Sequence, residues 1–275
     1  MFDAIHKAAG ALGAFVDVDL AAQLDHASLI RELEAALDEH EVLFFRRQRL
    51  TPVEFAALAS GLGSIETHPA YITLDNCPDV QILESTSENP SKIEVWHSDM
   101  TFRQQPPAVT LLYGKTIPTH GGDTLWTSAA AAFQSLSEPM QRLLEGLEAE
   151  HDFAHGFRES LEEPGGVERL GEAVRENPAV THPVIRTHPR SGKKALFVNP
   201  LFTTRLMGLS RPESHALMQL LFEHLTTVEH TVRLNWEPGT LAIWDNRTTQ
   251  HRPVNDFLPQ TRVMHRVTVA GEVPS

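Results

Sequence analysis

Cysteine is almost missing from this sequence: Cys77 is the one thiol in 275 residues. A single thiol cannot close an internal disulfide or build a cysteine-based zinc knuckle, which excludes stapled and zinc-finger frameworks. Long apolar runs are also missing. The stretch around Ala129–Phe133 is among the longest and is far shorter than a bilayer crossing, so no membrane span is expected. The opening MFDAIHKAAG has no basic segment leading into an apolar one and a small-residue cleavage site. No secretory signal is expected, and a cytoplasmic protein is the simple reading. Basic residues are in deficit. Lys and Arg number 23 against 36 Asp and Glu, a formal net charge of −13. That balance speaks against nucleic acid, whose phosphates need a basic footprint. It leaves room for a small anionic ligand, and a local pair of arginines inside an acidic protein would stand out as a site for one.

No repeat, low-complexity tract or Gly/Ser linker divides the chain, so one domain over residues 1–275 is expected. Hydrophobic residues make up 41%, enough for a sizeable core. Ser28–His40 places Leu29, Leu33, Ala36 and Leu37 on one face and predicts an amphipathic helix. Val42–Phe45 reads as a short strand, and Thr51-Pro52 opens a second helix that should stop near Gly61. Later segments, Leu111–Tyr113, Thr124–Thr127, Thr231–Trp236, Leu241–Trp244 and Val263–Val269, read as strands between Gly, Pro and Asn turns. Helices are expected at Ser128–Leu136, Pro139–Leu147 and Pro212–Leu225. Short strands with inserted helices suggest a mixed α+β fold, a jelly-roll barrel flanked by helices. The polar stretch Glu159–Ala179, containing Pro164-Gly165-Gly166, reads as an excursion or lid over one barrel mouth.

Three segments carry candidate chemistry. In Trp96–Phe102 (WHSDMTF), His97 and Asp99 stand two apart, so on a strand both would face one side. An imidazole and a carboxylate are two corners of a two-His-one-carboxylate triad, which leaves open positions on iron(II). With 15 histidines in the chain, a lone His-x-Asp triplet could equally be a surface pair; the bulky Trp96 and Phe102 around it favour a packed strand. The third corner must come from elsewhere. Trp244–His251 reads as strand, Asx-rich turn and returning strand, which would bring His251 to the barrel wall or leave it exposed after a capped turn. In Gln260–Thr268, Arg262, Met264 and Arg266 alternate with Val263 and Val267. Either the valines pack outward and both arginines point into the barrel, where each would need an anion, or the strand is reversed and the arginines meet solvent.

Together, His97-x-Asp99, His251 and Arg262 resemble the signature of the taurine dioxygenase family of 2-oxoglutarate-dependent oxygenases. Longer stretches are similar too: Gly121–Ser128 (GGDTLWTS), His182–Asn199, Phe202–Arg205, Trp244–Arg247 and Met264–Arg266. The likeness runs from about Arg47 to Gly271. It implies a double-stranded β-helix and iron(II) on His97, Asp99 and His251, with O₂ and 2-oxoglutarate as cosubstrates. The far carboxylate of 2-oxoglutarate would lie on Arg262 and Thr124. The chemistry implied is loss of CO₂ from 2-oxoglutarate, giving succinate, coupled to hydroxylation of a substrate C–H. Members of the family often form dimers or tetramers, so a homo-oligomer is implied as well.

The same resemblance addresses the substrate. Arg266 matches an arginine that holds a sulfonate, assisted by a histidine in a His-Pro-x-Tyr motif, here His68-Pro69-Ala70-Tyr71. Phe157 and Phe202 match aromatic walls, although ordinary core packing would explain them as well. The expectation is hydroxylation beside the sulfonate of a small alkyl- or aminoalkylsulfonate such as taurine, releasing sulfite and an aldehyde. Two departures bear on this. Ile93 stands where taurine-oxidising members carry Asn, and Gly156 where they carry Ser. Losing two polar groups leaves less to hold an ammonium, which favours a longer or uncharged tail or a sulfate ester. An aryloxyacetate is a further alternative, since a guanidinium accepts any of these anions. Outside the family stand a zinc hydrolase using the same three ligands and a non-catalytic cupin-like binding barrel.

Overall fold

Thr51 begins a helix because its side chain accepts the backbone N–H of Glu54 while the Glu54 carboxylate accepts the Thr51 N–H at 2.8 Å, with Pro52 in the first turn. The computed structural model, which describes every residue except Met1, Asp3, Asp25, Pro69 and Ala70, places that helix at Pro52–Leu62. It ends one residue past Gly61, close to the expected stop, with Gly63 as its C-cap. The missing Cβ serves packing: a Cβ at Gly61 would lie 2.5 Å from Cδ1 of Ile30, on the neighbouring helix Leu29–His40. These two helices cover one face of a large, mostly antiparallel sheet.

That sheet runs in the order Ala4–Lys7, Ala14–Asp17, Val42–Phe45, Leu241–Asp245, Val109–Thr116, Arg262–Val269, Cys77–Ser85, Thr73–Leu74, with Ile65–Glu66 also paired to Arg262–Val269. One pairing, Ala14–Asp17 with Val42–Phe45, is parallel. Side chains alternate across the sheet as the two-residue strand period requires. Leu43, Phe45, Leu111, Tyr113, Leu241, Ile243 and Val267 meet the two helices. Val42, Phe44, Leu112, Ala242, Trp244 and Met264 point the other way. There they pack on Trp126, Val232 and Leu234 of a second sheet, ordered Thr231–Leu234, Thr124–Ser128, Thr249–Pro253. The valine side of Arg262–Val269 thus packs on the helices, while Met264 faces the space between sheets.

A third sheet (Val180–Pro183, Glu148–His151, Thr203–Leu206) and the hairpin Ile185–Thr187 with Lys194–Leu196 extend the second layer, backed by helices Ala129–Ser135 and Arg211–Leu225. The polar excursion is helical in the structure: Arg158–Glu162 and then Gly166–Glu176. Ala173 and Val174 of the second helix pack against an aromatic cluster containing Phe153 and Phe202. Among the described residues no helix is long and apolar enough to cross a membrane.

Candidate active site

The expected strand through Trp96–Phe102 does not form. His97 makes an isolated antiparallel bridge with His251: its N–H donates to the His251 carbonyl at 3.0 Å, and its carbonyl accepts the His251 N–H at 2.7 Å. The chain then turns: Ser98 Oγ donates to the Thr249 carbonyl at 2.7 Å, and Met100 has a φ of 44°, an uncommon left-handed conformation for a non-glycine residue. His97 and Asp99 therefore converge because a turn folds Asp99 back, not because a strand alternates.

The result is a compact group. His97, Asp99 and His251 are buried and each offers a ligand atom within 4.8 Å of the others. The two imidazole rings lie 4.2 Å apart, and Trp244 packs on the His251 ring at 4.8 Å. His97 Nδ1 sits 2.9 Å from the Val95 carbonyl, which fixes the proton on Nδ1 and leaves Nε2 as the lone-pair donor. Burial pushes the His97 pKa down and, with His97 beside it, pushes that of His251 down to about 3. Both rings are neutral, as ligation requires. Burial works to raise the Asp99 pKa, but the Arg266 guanidinium, the two imidazoles and a hydrogen bond from Thr110 hold it well below the usual carboxylate range. Two neutral imidazoles and an ionised carboxylate fit iron(II), and buried His251 Nδ1 has no hydrogen-bond partner among the described residues.

Two cations, half-buried Arg262 and buried Arg266, have donors to spare nearby. Arg262 Nη2 lies 3.4 Å from Thr124 Oγ1, which also accepts the Trp236 indole N–H at 2.9 Å. The Trp236 ring underlies the guanidinium at 5.7 Å. Arg262 Nε has no hydrogen-bond partner among the described residues, and burial, opposed by the charge of Asp123, pushes the Arg262 pKa down to about 10. Arg266 is 5% exposed; its Nη1 lies 3.7 Å from Asp99 Oδ1, while Nε and Nη2 have no hydrogen-bond partner among the described residues. Burying a guanidinium so incompletely paired is costly, and an anion would relieve it.

Around Arg266 the remaining expected residues gather. The Tyr71 ring lies 5.3 Å from its guanidinium carbon, and the His68 ring lies 4.7 Å from Tyr71 and 5.7 Å from Phe157. Burial and the Arg266 charge lower the His68 pKa well below its ordinary value, so the ring is neutral. Gln81, opposite Arg266 in the strand pairing, grips the His68 backbone with bonds of 3.1 and 2.9 Å. Pro69 and Ala70, the middle of the His-Pro-x-Tyr motif, lie outside the described residues. Phe157 and Phe202 belong to one apolar cluster with Met100, Phe102, Phe153 and Leu201, and Ile93 packs against it.

Sequence reasoning missed Gln81, Thr110 and Trp236, and read Asn246 only as a turn residue. Thr110 left a trace: it is a polar residue among apolar neighbours at the start of its strand, Val109-Thr110-Leu111-Leu112, directly opposite Trp244.

Similarities to known proteins agree with this geometry. A family model described as taurine catabolism dioxygenase TauD, TfdA family matches residues 4–268. The alkylsulfatase of Acinetobacter baylyi is 38% identical over 274 residues, covering 98% of this chain and 85% of that protein. The alpha-ketoglutarate-dependent sulfate ester dioxygenase of Pseudomonas putida is 38% identical over 276 residues, covering 98% of this chain and 90% of that protein. A solved taurine dioxygenase from Burkholderia xenovorans matches with a TM-score of 0.83 at 33% identity, over 98% of this chain and 92% of that one.

Proposed function

The chain belongs to the taurine catabolism dioxygenase TauD, TfdA family of iron(II)- and 2-oxoglutarate-dependent dioxygenases, and from that premise we propose that it hydroxylates the carbon bearing the sulfo group of a small alkyl substrate. One observation carries the reading. Two arginines on one strand, half-buried Arg262 and buried Arg266, keep buried guanidinium nitrogens without hydrogen-bond partners among the described residues, beside a His-Asp-His group. Two anions are needed, one the cosubstrate and one the substrate.

Bound iron(II) with 2-oxoglutarate and O₂ supplies oxidation of an unactivated C–H, with succinate and CO₂ as coproducts. The protein's part is to hold and aim. His97, Asp99 and His251 hold the metal. Arg262 and Thr124 take the far carboxylate of 2-oxoglutarate. Arg266, the guanidinium beside Asp99, and neutral His68 bind the sulfo group, which sets the adjacent carbon close to the metal. Tyr71, Phe157 and Phe202 wall the pocket and exclude water. Ala173 and Val174 support a covering role for the excursion 159–179. We read the two facing sheets as the leaves of a double-stranded β-helix within one domain over 1–275, and expect a homo-oligomer, dimer or tetramer.

Hydroxylation beside a sulfonate yields sulfite and an aldehyde; beside a sulfate ester it yields sulfate and an aldehyde. The second outcome is favoured by a specific feature. Ile93 packs on the apolar cluster where an amine-binding group would serve taurine, and Gly156 adds no polar side chain. Two relatives at 38% identity are named for sulfate esters. Purified protein given iron(II), 2-oxoglutarate and, separately, taurine, an alkanesulfonate, an alkyl sulfate and an aryloxyacetate would be assayed for succinate, sulfite, sulfate and phenol. Sulfate from the alkyl sulfate would support the ester reading, and sulfite the sulfonate one. If no sulfur anion is released from any of them, the sulfo reading is wrong.

A further inference from the structure

The carboxylate of Asp99 has two oxygens, and a metal needs one defined donor from it. The buried polar groups behind it form a chain whose hydrogen-bond directions follow from chemistry alone. The Trp244 indole N–H can only donate, and it reaches Asn246 Oδ1 at 2.9 Å. The Asp99 backbone N–H, also only a donor, reaches the same oxygen at 3.3 Å. These two donors fix the Asn246 amide, since the flipped form would set two N–H groups against its NH₂. Asn246 Nδ2 therefore donates to Thr110 Oγ1, at 2.8 Å. The Thr110 hydroxyl, with a lone pair so occupied, directs its proton to Asp99 Oδ2 at 2.6 Å. All four side chains are under 5% exposed, so water offers no competing orientation.

We infer that Asn246 is a positioning residue which, through Thr110, fixes the Asp99 carboxylate so that Oδ2 is bound by protein and Oδ1 is presented to the metal. Oδ1 is also the oxygen facing Arg266 Nη1, at 3.7 Å. One carboxylate oxygen, the one facing the guanidinium assigned to the substrate anion, would thus be left for the metal, while the other is tied into the sheet through Thr110. Thr110 suits this role because it lies on the central strand Val109–Thr116, paired on both sides by Trp244 and Thr268. Its β-branched side chain has little rotamer freedom there. The inference rests on the metal-site reading above, and its test separates the two.

Mn(II) binding to the apoprotein, followed by electron paramagnetic resonance without any substrate, reads the site directly. Binding by the wild-type protein tests the metal site itself; its absence would remove the premise. Thr110→Val keeps the shape and removes the hydroxyl, and Asn246→Leu keeps the size and removes the amide. Both are expected to weaken Mn(II) binding about 10- to 100-fold, the usual cost of losing a group that supports a ligand. Thr110→Ser is expected to restore affinity to within a few-fold, because it returns the hydroxyl. Apoprotein melting temperatures identify variants that simply fold poorly. Thr110→Val with wild-type affinity, or Thr110→Ser as weak as Thr110→Val, would overturn the assignment. Co(II) absorption gives a second readout: the visible bands should change in Thr110→Val and revert in Thr110→Ser.

Discussion

Gly156→Ala is the sharpest test of how the pocket measures its substrate. Gly156 ends the short helix Phe153–Gly156 and does not have the left-handed φ that would demand glycine, so alanine is allowed by the backbone. Space is the constraint. A Cβ there would lie 2.5 Å from Phe202 Cδ1 and 3.2 Å from the Leu201 carbonyl oxygen. Carbon atoms rest at about 3.5–4.0 Å, so the Phe202 ring must retreat by about 1 Å. Behind it stand Phe102, with ring centroids 5.0 Å apart, and Phe157 at 6.4 Å, so the movement shortens the space left for a tail. Such overpacking costs about 1–3 kcal/mol of stability. A retreat of this size removes room for about one methylene, worth about 0.8 kcal/mol, or about fourfold in kcat/KM. The assay is succinate formation over a series of linear alkyl sulfates and alkanesulfonates from ethyl to octyl. Gly156→Ala should shift the preferred length down by about one carbon while the shortest substrates change little. Adding Phe202→Leu should return it toward the wild-type optimum. A uniform fall across the series, with the preferred length unchanged, would refute the link between Gly156, Phe202 and tail length.

Other consequences follow from the two cations and the buried histidines. Arg266→Gln should raise KM for the sulfo substrate by about 10- to 100-fold, the loss of a charged hydrogen bond, with 2-oxoglutarate affinity in anaerobic titration nearly unchanged. Arg262→Gln should do the reverse, and a variant that damages both affinities equally would contradict the assignment of one anion to each arginine. His151 is fully buried, and burial, with the nearby His182, pushes its pKa down to about 3. The unfolded chain, with an ordinary pKa of about 6.5, then binds the extra proton between about pH 6.5 and 3. Stability is fully present above that window and falls as pH drops through it, by up to about 1.4 kcal/mol per pH unit, with His182 adding in the same direction. In denaturant melts across pH, His151→Asn should flatten this acid slope while keeping a partner for Thr101 Oγ1, which now lies 2.9 Å from His151 Nδ1. Metal at a hundredfold excess over its Kd should stabilise the protein by about 2.7 kcal/mol, and EDTA should reverse the shift in Tm. No shift would argue against a preformed site.

Local chemistry was written plainly into the chain. The Thr51-Pro52 start, the amphipathic face of Leu29–His40 and the alternation of Arg262–Val269 follow from hydrogen bonds and periodicities spanning a few residues, and the elements form where those patterns lie. His97, Asp99 and His251 were legible as ligand types, and Arg262 and Arg266 as a pair sharing one strand face. How they meet was not. His97 and Asp99 converge through a turn with a left-handed Met100 and a bridge to His251, a contact between residues 154 positions apart (251 − 97) that no local spacing encodes. The same holds for Asn246 and Thr110, 136 positions apart, and for the clearance between Gly156 and the Phe202 ring. Ligand identity is a property of side chains, which the sequence states outright. Which carboxylate oxygen is free, and how much room a substrate tail has, are properties of distances, and only the packing of sheet on sheet sets those.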